Sequence, residues 1–294
     1  MSETTPAGAI HDIGYRRYEG PRLGASYIRR SLFLETLRGS FGLGRSARSK
    51  IMPNLMFGVL VLLAVVLGLV AGYFGMSELP MGYEEFVFSM QVPITIFLAS
   101  QAPVAVSRDL RFKIAPLYFS RPLSRPQYVQ ARYAGMAAAL FVLTAVPLTL
   151  LLAGALLAEL PWREQLPDYV RSIAGAAVAA LVLAGVGLVI AAMTPRRGLG
   201  VAAVAGTLLV LSGLQGTVRA LAEEFGDAAF AGYAGLISPF SLVDGVMAVP
   251  LGAESVMATP PEGFVMGAVF CAVAALLVVG CYGSLLLRYR KALR

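Results

Sequence analysis

Residues 107–132 read SRDLRFKIAPLYFSRPLSRPQYVQAR. The stretch holds six cations, one acid and three prolines, between two apolar runs each long enough to cross a bilayer. A basic, punctuated segment in that position is the pattern of a loop joining two membrane helices. The rest of the chain agrees. Of 294 residues, 57% are hydrophobic and only 14% charged, with a mean hydropathy of +0.73. A soluble domain carries about 25% charged residues, so this composition cannot coat a water-facing surface. An all-α integral membrane protein is expected.

Outward from the loop, six runs have the roughly twenty residues that a helix needs to cross the hydrocarbon. They are Met52–Phe74, Phe86–Val106, Tyr133–Leu157, Val170–Met193, Leu199–Val218 and Phe264–Leu287. Backbone in lipid must satisfy its own hydrogen bonds, which makes them helices. The chain divides into a basic tail, 1–51, and a six-span membrane domain, 52–294. The first apolar run starts near Ile51, too far along for a cleavable signal peptide.

Charge sets the direction, because cationic loops stay in the cytoplasm. The tail, the 107–132 loop, Arg196–Arg197 and the residues after Leu287 hold 21 of the 24 cations. The three opposite loops hold 12 of the 17 acids. Both termini are therefore expected in the cytoplasm. The cations are spread over four segments with no base-stacking motif, which speaks for lipid phosphate and against a nucleic-acid partner.

The long outer loop, 219–263, has an apolar middle containing Asp244, Pro239 and Pro250. The expected arrangement is a re-entrant pair of short helices that enters the outer leaflet and turns back at Ser238, Pro239 and Phe240. A seventh span or a surface loop are the alternatives.

The span centres carry no Asp, Glu, Lys, Arg or His, whereas ion-coupled pumps usually need ionisable groups at depth. No catalytic or metal-binding spacing and no phosphate-binding glycine loop occurs. The expectation is a chain that is not an enzyme and holds no metal or cofactor of its own. Cys271 and Cys281 share one apolar run and read as packing residues. Uncharged polar residues do occur in the spans: Gln91, Thr95, Ser100 and Gln101 in the second, Thr207, Ser212, Gln215 and Thr217 in the fifth. They serve either helix–helix hydrogen bonds or a partly polar translocation surface. Gly68 and Gly72 form a GxxxG that suits internal packing or a dimer face equally.

Within the opening loop, helix is expected to continue from span 2 past Ser107 and to stop before Pro116. A new helix starts at Ser124, where Ser124, Pro126 and Gln127 spell a capping box, and runs through Arg132 into span 3. The tip, Leu117, Tyr118 and Phe119 beside Arg121 and Arg125, suits either a partner surface or the membrane interface. In the tail, residues 26–50 read as an interfacial helix, with Tyr27, Leu34, Leu37 and Phe41 on one side and Arg30 intruding. The preceding HDIGYRRYEGPRLG, with Arg16, Arg17 and Arg22, reads as a strap.

The segment Ser120-Arg121-Pro122-Leu123-Ser124-Arg125 resembles the Ser-Arg-Pro-Ile/Leu-Ser-Arg element between spans 2 and 3 of ATP-binding-cassette exporter permeases of the second type (ABC-2). LISPFSLVDG at 236–245 is similar to the Ser-Pro segment of that family's outer loop, and the six-span layout agrees. Many relatives carry an acid before the Ser-Arg-Pro; here Ile114-Ala115-Pro116-Leu117-Tyr118 has none.

The resemblance implies a transmembrane subunit of an ATP-driven exporter in a bacterial cell membrane. It implies a dimer of permease chains, identical or related, with two separate ATPase subunits that supply ATP and Mg. Arg108, Asp109, Arg111, Leu117, Tyr118, Phe119, Arg121, Pro122, Ser124 and Arg125 would form the ATPase-coupling hairpin. The translocation path would lie at the dimer centre along spans 2 and 5, with Gln91, Thr95, Gln101, Thr207, Ser212 and Gln215 as its candidate lining. Few polar groups in the spans lean toward an amphipathic or lipid-like cargo. A non-transport membrane scaffold and an ATP-independent channel or carrier are the alternative readings.

Overall fold

A computed structural model describes residue 20 and residues 23–111, 123–194, 196–253, 255–257 and 263–291. The described residues form α-helices, with one short 3₁₀ turn and no strand. In chain order the helices are α1 (Ala25–Ser40), α2 (Ala47–Phe74), α3 (Tyr83–Ser89), α4 (Gln91–Arg111) and α5 (Arg125–Leu157). Then follow α6 (Trp162–Met193), α7 (Arg197–Glu224), α8 (Ala228–Tyr233), the 3₁₀ turn Ala234–Leu236, α9 (Pro239–Leu251) and α10 (Gly263–Lys291).

Five of these, α2, α5, α6, α7 and α10, are long and apolar enough to cross a membrane. Two bent pairs raise the number to seven if each is one span: α3 with α4, bent by 52°, and α8 and its 3₁₀ turn with α9, bent by 117°. The chain has the character of a multi-pass membrane protein.

The run expected as one helix over 86–106 is broken. α3 ends at Ser89, Met90 is a turn, and α4 starts at Gln91. Pro93 favours a break here. In a continuous helix its ring would meet the Ser89 carbonyl and leave it without a donor. In the first turn of a new helix the missing N–H costs nothing. Elsewhere the apolar runs lie inside longer helices. α5 begins where the capping box places it: Gln127 Oε1 accepts the Ser124 N–H at 3.0 Å, and Pro126 sits in the first turn.

Glycines let backbones approach. A Cβ built on Gly68 of α2 would stand 2.7 Å from Cα of Gly154 on α5, and one turn on Gly72 meets Ala158. The GxxxG is therefore an internal contact. α1 lies against α5 at Gly135, where a Cβ would be 2.6 Å from Cβ of Thr36.

The inward row of α1 is Leu32, Thr36, Gly39 and Ser40. It is a different row from the one the sequence marks for a membrane interface: Tyr27 is exposed, and Leu34, Leu37 and Phe41 are half-buried. Two hydroxyls tolerate burial because they bond back along their own helix, Thr36 Oγ1 to the Leu32 carbonyl and Ser40 Oγ to the Thr36 carbonyl, both at 2.8 Å.

α9 is an inner helix. It lies against α6 and α10, with the Phe270 ring in the space left open at Gly245.

Candidate functional site

The end of α4 and the start of α5 lie side by side. Tyr128 and Arg132 are four residues apart on α5, so they share one face. Asp109, on the last turns of α4, meets that face. Its Oδ2 accepts a short hydrogen bond from the Tyr128 hydroxyl and a charge-assisted one from Arg132 Nη2 at 2.9 Å. Arg132 Nε also donates to the Tyr128 oxygen at 3.3 Å.

The remaining donors of the guanidinium turn to α1. Arg132 Nη1 lies 3.1 Å from Thr36 Oγ1 and 3.7 Å from Glu35 Oε2. On the far side, the Tyr128 ring meets Tyr289 of α10 edge-on, with centroids 5.1 Å apart. Arg132 is 6% exposed and Asp109 7%, while Thr36, Tyr128 and Tyr289 are also buried. Glu35 stands at the exposed rim.

Four elements, α1, α4, α5 and α10, therefore converge on one buried ion pair. A carboxylate near a helix C-terminus opposes the helix dipole, and the arginine offsets it. Removing one member of such a pair costs about 3–5 kcal/mol, because the other stays buried and unpaired. The arrangement has no nucleophile or acid–base pair facing an open cleft. It can hold helices together and carry force between them.

A second tie lies at the same end. The last carbonyls of α6 lack helical partners and are taken by side chains. Ser107 Oγ of α4 donates to the Ala191 carbonyl at 2.7 Å, and Arg288 Nε of α10 to the Ala192 carbonyl at 3.1 Å. Thr194 Oγ1 donates to the Ile190 and Ala191 carbonyls.

Asp109, one of the residues assigned to the coupling loop, is buried and bound within the protein. Ser124 and Arg125 are exposed at the start of α5. Leu117, Tyr118, Phe119, Arg121 and Pro122 lie outside the described residues, as do the side chains of Arg108 and Arg111 and the strap before Gly20.

The six candidate path residues do not gather around one space within the chain. On α4, Thr95 and Gln101 are buried and Gln91 is half-buried; Gln101 Nε2 donates to Ser100 Oγ at 3.1 Å. On α7, Thr207 is exposed, while Ser212 shares a hydrogen bond with Ser238 at 3.1 Å. Gln215 is buried, with Nε2 4.0 Å from the Met257 sulfur.

Ser238 caps α9 by accepting the Phe240 N–H at 3.3 Å, with Pro239 as the first helical residue and both Ser238 and Phe240 buried. The next segment is pinned by Asp244, whose carboxylate accepts the Ser255 hydroxyl at 2.6 Å and the Val256 N–H at 3.2 Å.

Sequence reasoning missed Tyr128, Arg132, Thr36 and Tyr289. The first two were within reach: a helix beginning at Ser124 puts Tyr128 and Arg132 on one stripe, and Asp109 was the loop's only acid. Thr36 and Tyr289 carry no local signal, since only the tertiary contact defines them.

No family model matches the chain, and no curated protein matches it.

Proposed function

We propose that the chain is the transmembrane subunit of an ATP-driven exporter of the ABC-2 type, working as a dimer with two separate ATPase subunits in a bacterial cell membrane. In this reading α3 and α4 together make one span, which with the five long helices gives six. α8 and α9 are a re-entrant outer pair, α1 is interfacial, and both termini are cytoplasmic. The loop 107–132 docks on the ATPase, and ATP closure moves it.

The observation that carries the reading is the buried Asp109–Arg132 pair across the base of that loop. A loop that only joined two spans has no need of a charged lock. A loop that receives force needs its two helices to move as one body, and Arg132 extends that body to α1 through Thr36. α7 gives support as well. It is the least buried of the five long helices and keeps Val210, Gly213 and Leu214 on its exposed side, a surface that suits a second copy at the path.

The test is affinity purification of the tagged chain in mild detergent, with identification and stoichiometry of what accompanies it. The reading requires an ATPase at one copy per permease, and no ATP hydrolysis by the chain alone. Emergence as an intact oligomer without any ATPase, in several detergents, removes the exporter reading and leaves a scaffold or channel.

A further inference from the structure

The cap that Arg288 places on α6 leaves most of the guanidinium unused. Its Nε is held by the Ala192 carbonyl at 3.1 Å, and Nη1 and Nη2 have no partner among the described residues. The side chain is exposed. A cation that is fixed in position yet has free donors is set up to hold an anion.

Beside it lies a hollow of about 380 Å³ between the ends of α6 and α10, lined by Val189, Met193, Ser284, Leu287 and Arg288. Apart from Ser284 and Arg288 this lining is apolar. Arg196 and Arg197, both exposed, follow Met193 closely; three residues of chain reach no more than about 11 Å. The described acids nearby, Glu35 and Asp109, are engaged with Arg132. The mouth of the hollow is therefore cationic.

The same seam holds a second hollow, about 360 Å³, lined by apolar side chains including Val178, Val182, Cys271 and Val278. α6 and α10 run in the same direction along the seam, and 11 residues separate Val178 from Val189, a rise of about 16 Å. The seam thus has an apolar length ending at a fixed arginine, where the apolar run of α10 gives way to Arg288 and Arg290. One molecule common in membranes has that pattern: an anionic phosphate head joined to a long hydrocarbon chain. Basic pockets between membrane helices hold such headgroups.

We propose that the seam between α6 and α10 is a binding site for one anionic glycerophospholipid, its phosphate on Arg288 and an acyl chain along the seam. The proposal needs only the membrane character of the chain and stands apart from the exporter reading.

The test is native mass spectrometry of the purified full-length chain, with any subunits that accompany it, in neutral detergent with equal amounts of phosphatidylglycerol and phosphatidylcholine of the same acyl chains. One phosphatidylglycerol per chain should be retained in preference to phosphatidylcholine. Arg288→Gln should cut retention about tenfold, the size expected for one lost charge-assisted contact. Arg288→Lys should keep most of it, and Arg290→Gln all of it.

Ser284→Trp fills the hollow while leaving Arg288 in place, and should release the lipid too. That variant decides the matter if Arg288→Gln fails to fold for want of the α6 cap. Equal retention of the two lipids overturns the proposal. So does undiminished phosphatidylglycerol in a folded Arg288→Gln or in Ser284→Trp, or a seam that carries no lipid and whose filling dissociates the oligomer.

Discussion

Arg132 of α5 reaches Asp109 of α4 at 2.9 Å in the protein interior, and Asp109 is the one acid in a stretch, 107–132, whose other charges are basic. Arg132→Met should destabilise the protein by about 3–5 kcal/mol, since Asp109 is left buried without a partner. The double variant Arg132→Met with Asp109→Leu should recover most of that loss. Thermal unfolding of the purified protein in detergent measures both. A double variant no more stable than Arg132→Met would mean that the hydrogen bonds of Arg132 to Tyr128 and Thr36 matter more than charge pairing.

The crossing of α2 and α5 is held by glycine. Gly154→Leu has no room against the Gly68 backbone and should lose at least about 1–3 kcal/mol, the usual range for overpacking. Gly206 and Gly213 of α7 have nothing within 4 Å of an added Cβ. Alanine at either should be neutral or should stabilise by up to about 1 kcal/mol through helix propensity. Comparing these variants by thermal unfolding separates a packed glycine from an unpacked one.

Glu159 adopts φ 61° one residue beyond Ala158, the C-cap of α5, where the Leu160 N–H closes on the Ala155 carbonyl at 3.1 Å. That is the left-handed helix stop usually given to glycine. Glu159→Gly should raise stability by up to about 1 kcal/mol. A fall in the unfolding temperature would show that the Glu159 side chain contributes something beyond its backbone shape.

Asp244 pins the segment after α9. Asp244→Ala removes the acceptor for Ser255 and Val256, so hydrogen exchange at the Val256 amide should quicken. Exchange at Tyr128 and Arg132 should stay as it was. Quickening at both places would mean that the outer pair and the joint open together.

The six-span reading fixes which surfaces face outward. Single cysteines at Glu78 and Glu159 should react with an impermeant thiol reagent on whole cells. Cysteines at Arg197 and Arg290 should react only after permeabilisation. Reaction of the Arg290→Cys variant from outside would make α8–α9 a true span and the topology seven-fold.

Most helices were legible because membrane helices leave long apolar runs. The break at Met90 was not, because Ser89 and Gln91 are uncharged and a proline such as Pro93 does not by itself stop a helix here, as Pro103 and Pro147 show. The buried face of α1 was hidden for another reason. Thr36 and Ser40 count as polar in any periodicity, yet they lose nothing by facing inward once their hydroxyls bond to their own helix. The joint was half visible: Asp109 was singled out but read as part of a docking surface, and Arg132 was counted only as loop charge. Burial is a property of how α1, α4, α5 and α10 meet, and no local stretch of sequence carries it.

The joint also bears on how the protein is made. Asp109 leaves the ribosome 23 residues before Arg132. Until α5 has been made, Asp109 lacks the Tyr128 and Arg132 donors that hold it in the finished protein. α5 supplies both donors and, through Arg132, the contact with Thr36 of α1. A chain halted between α4 and α5, or one that inserts α5 upside down, leaves Asp109 without those donors. The same ion pair that locks the finished molecule thus marks a correctly inserted chain apart from an incorrectly inserted one, at the midpoint of its biogenesis.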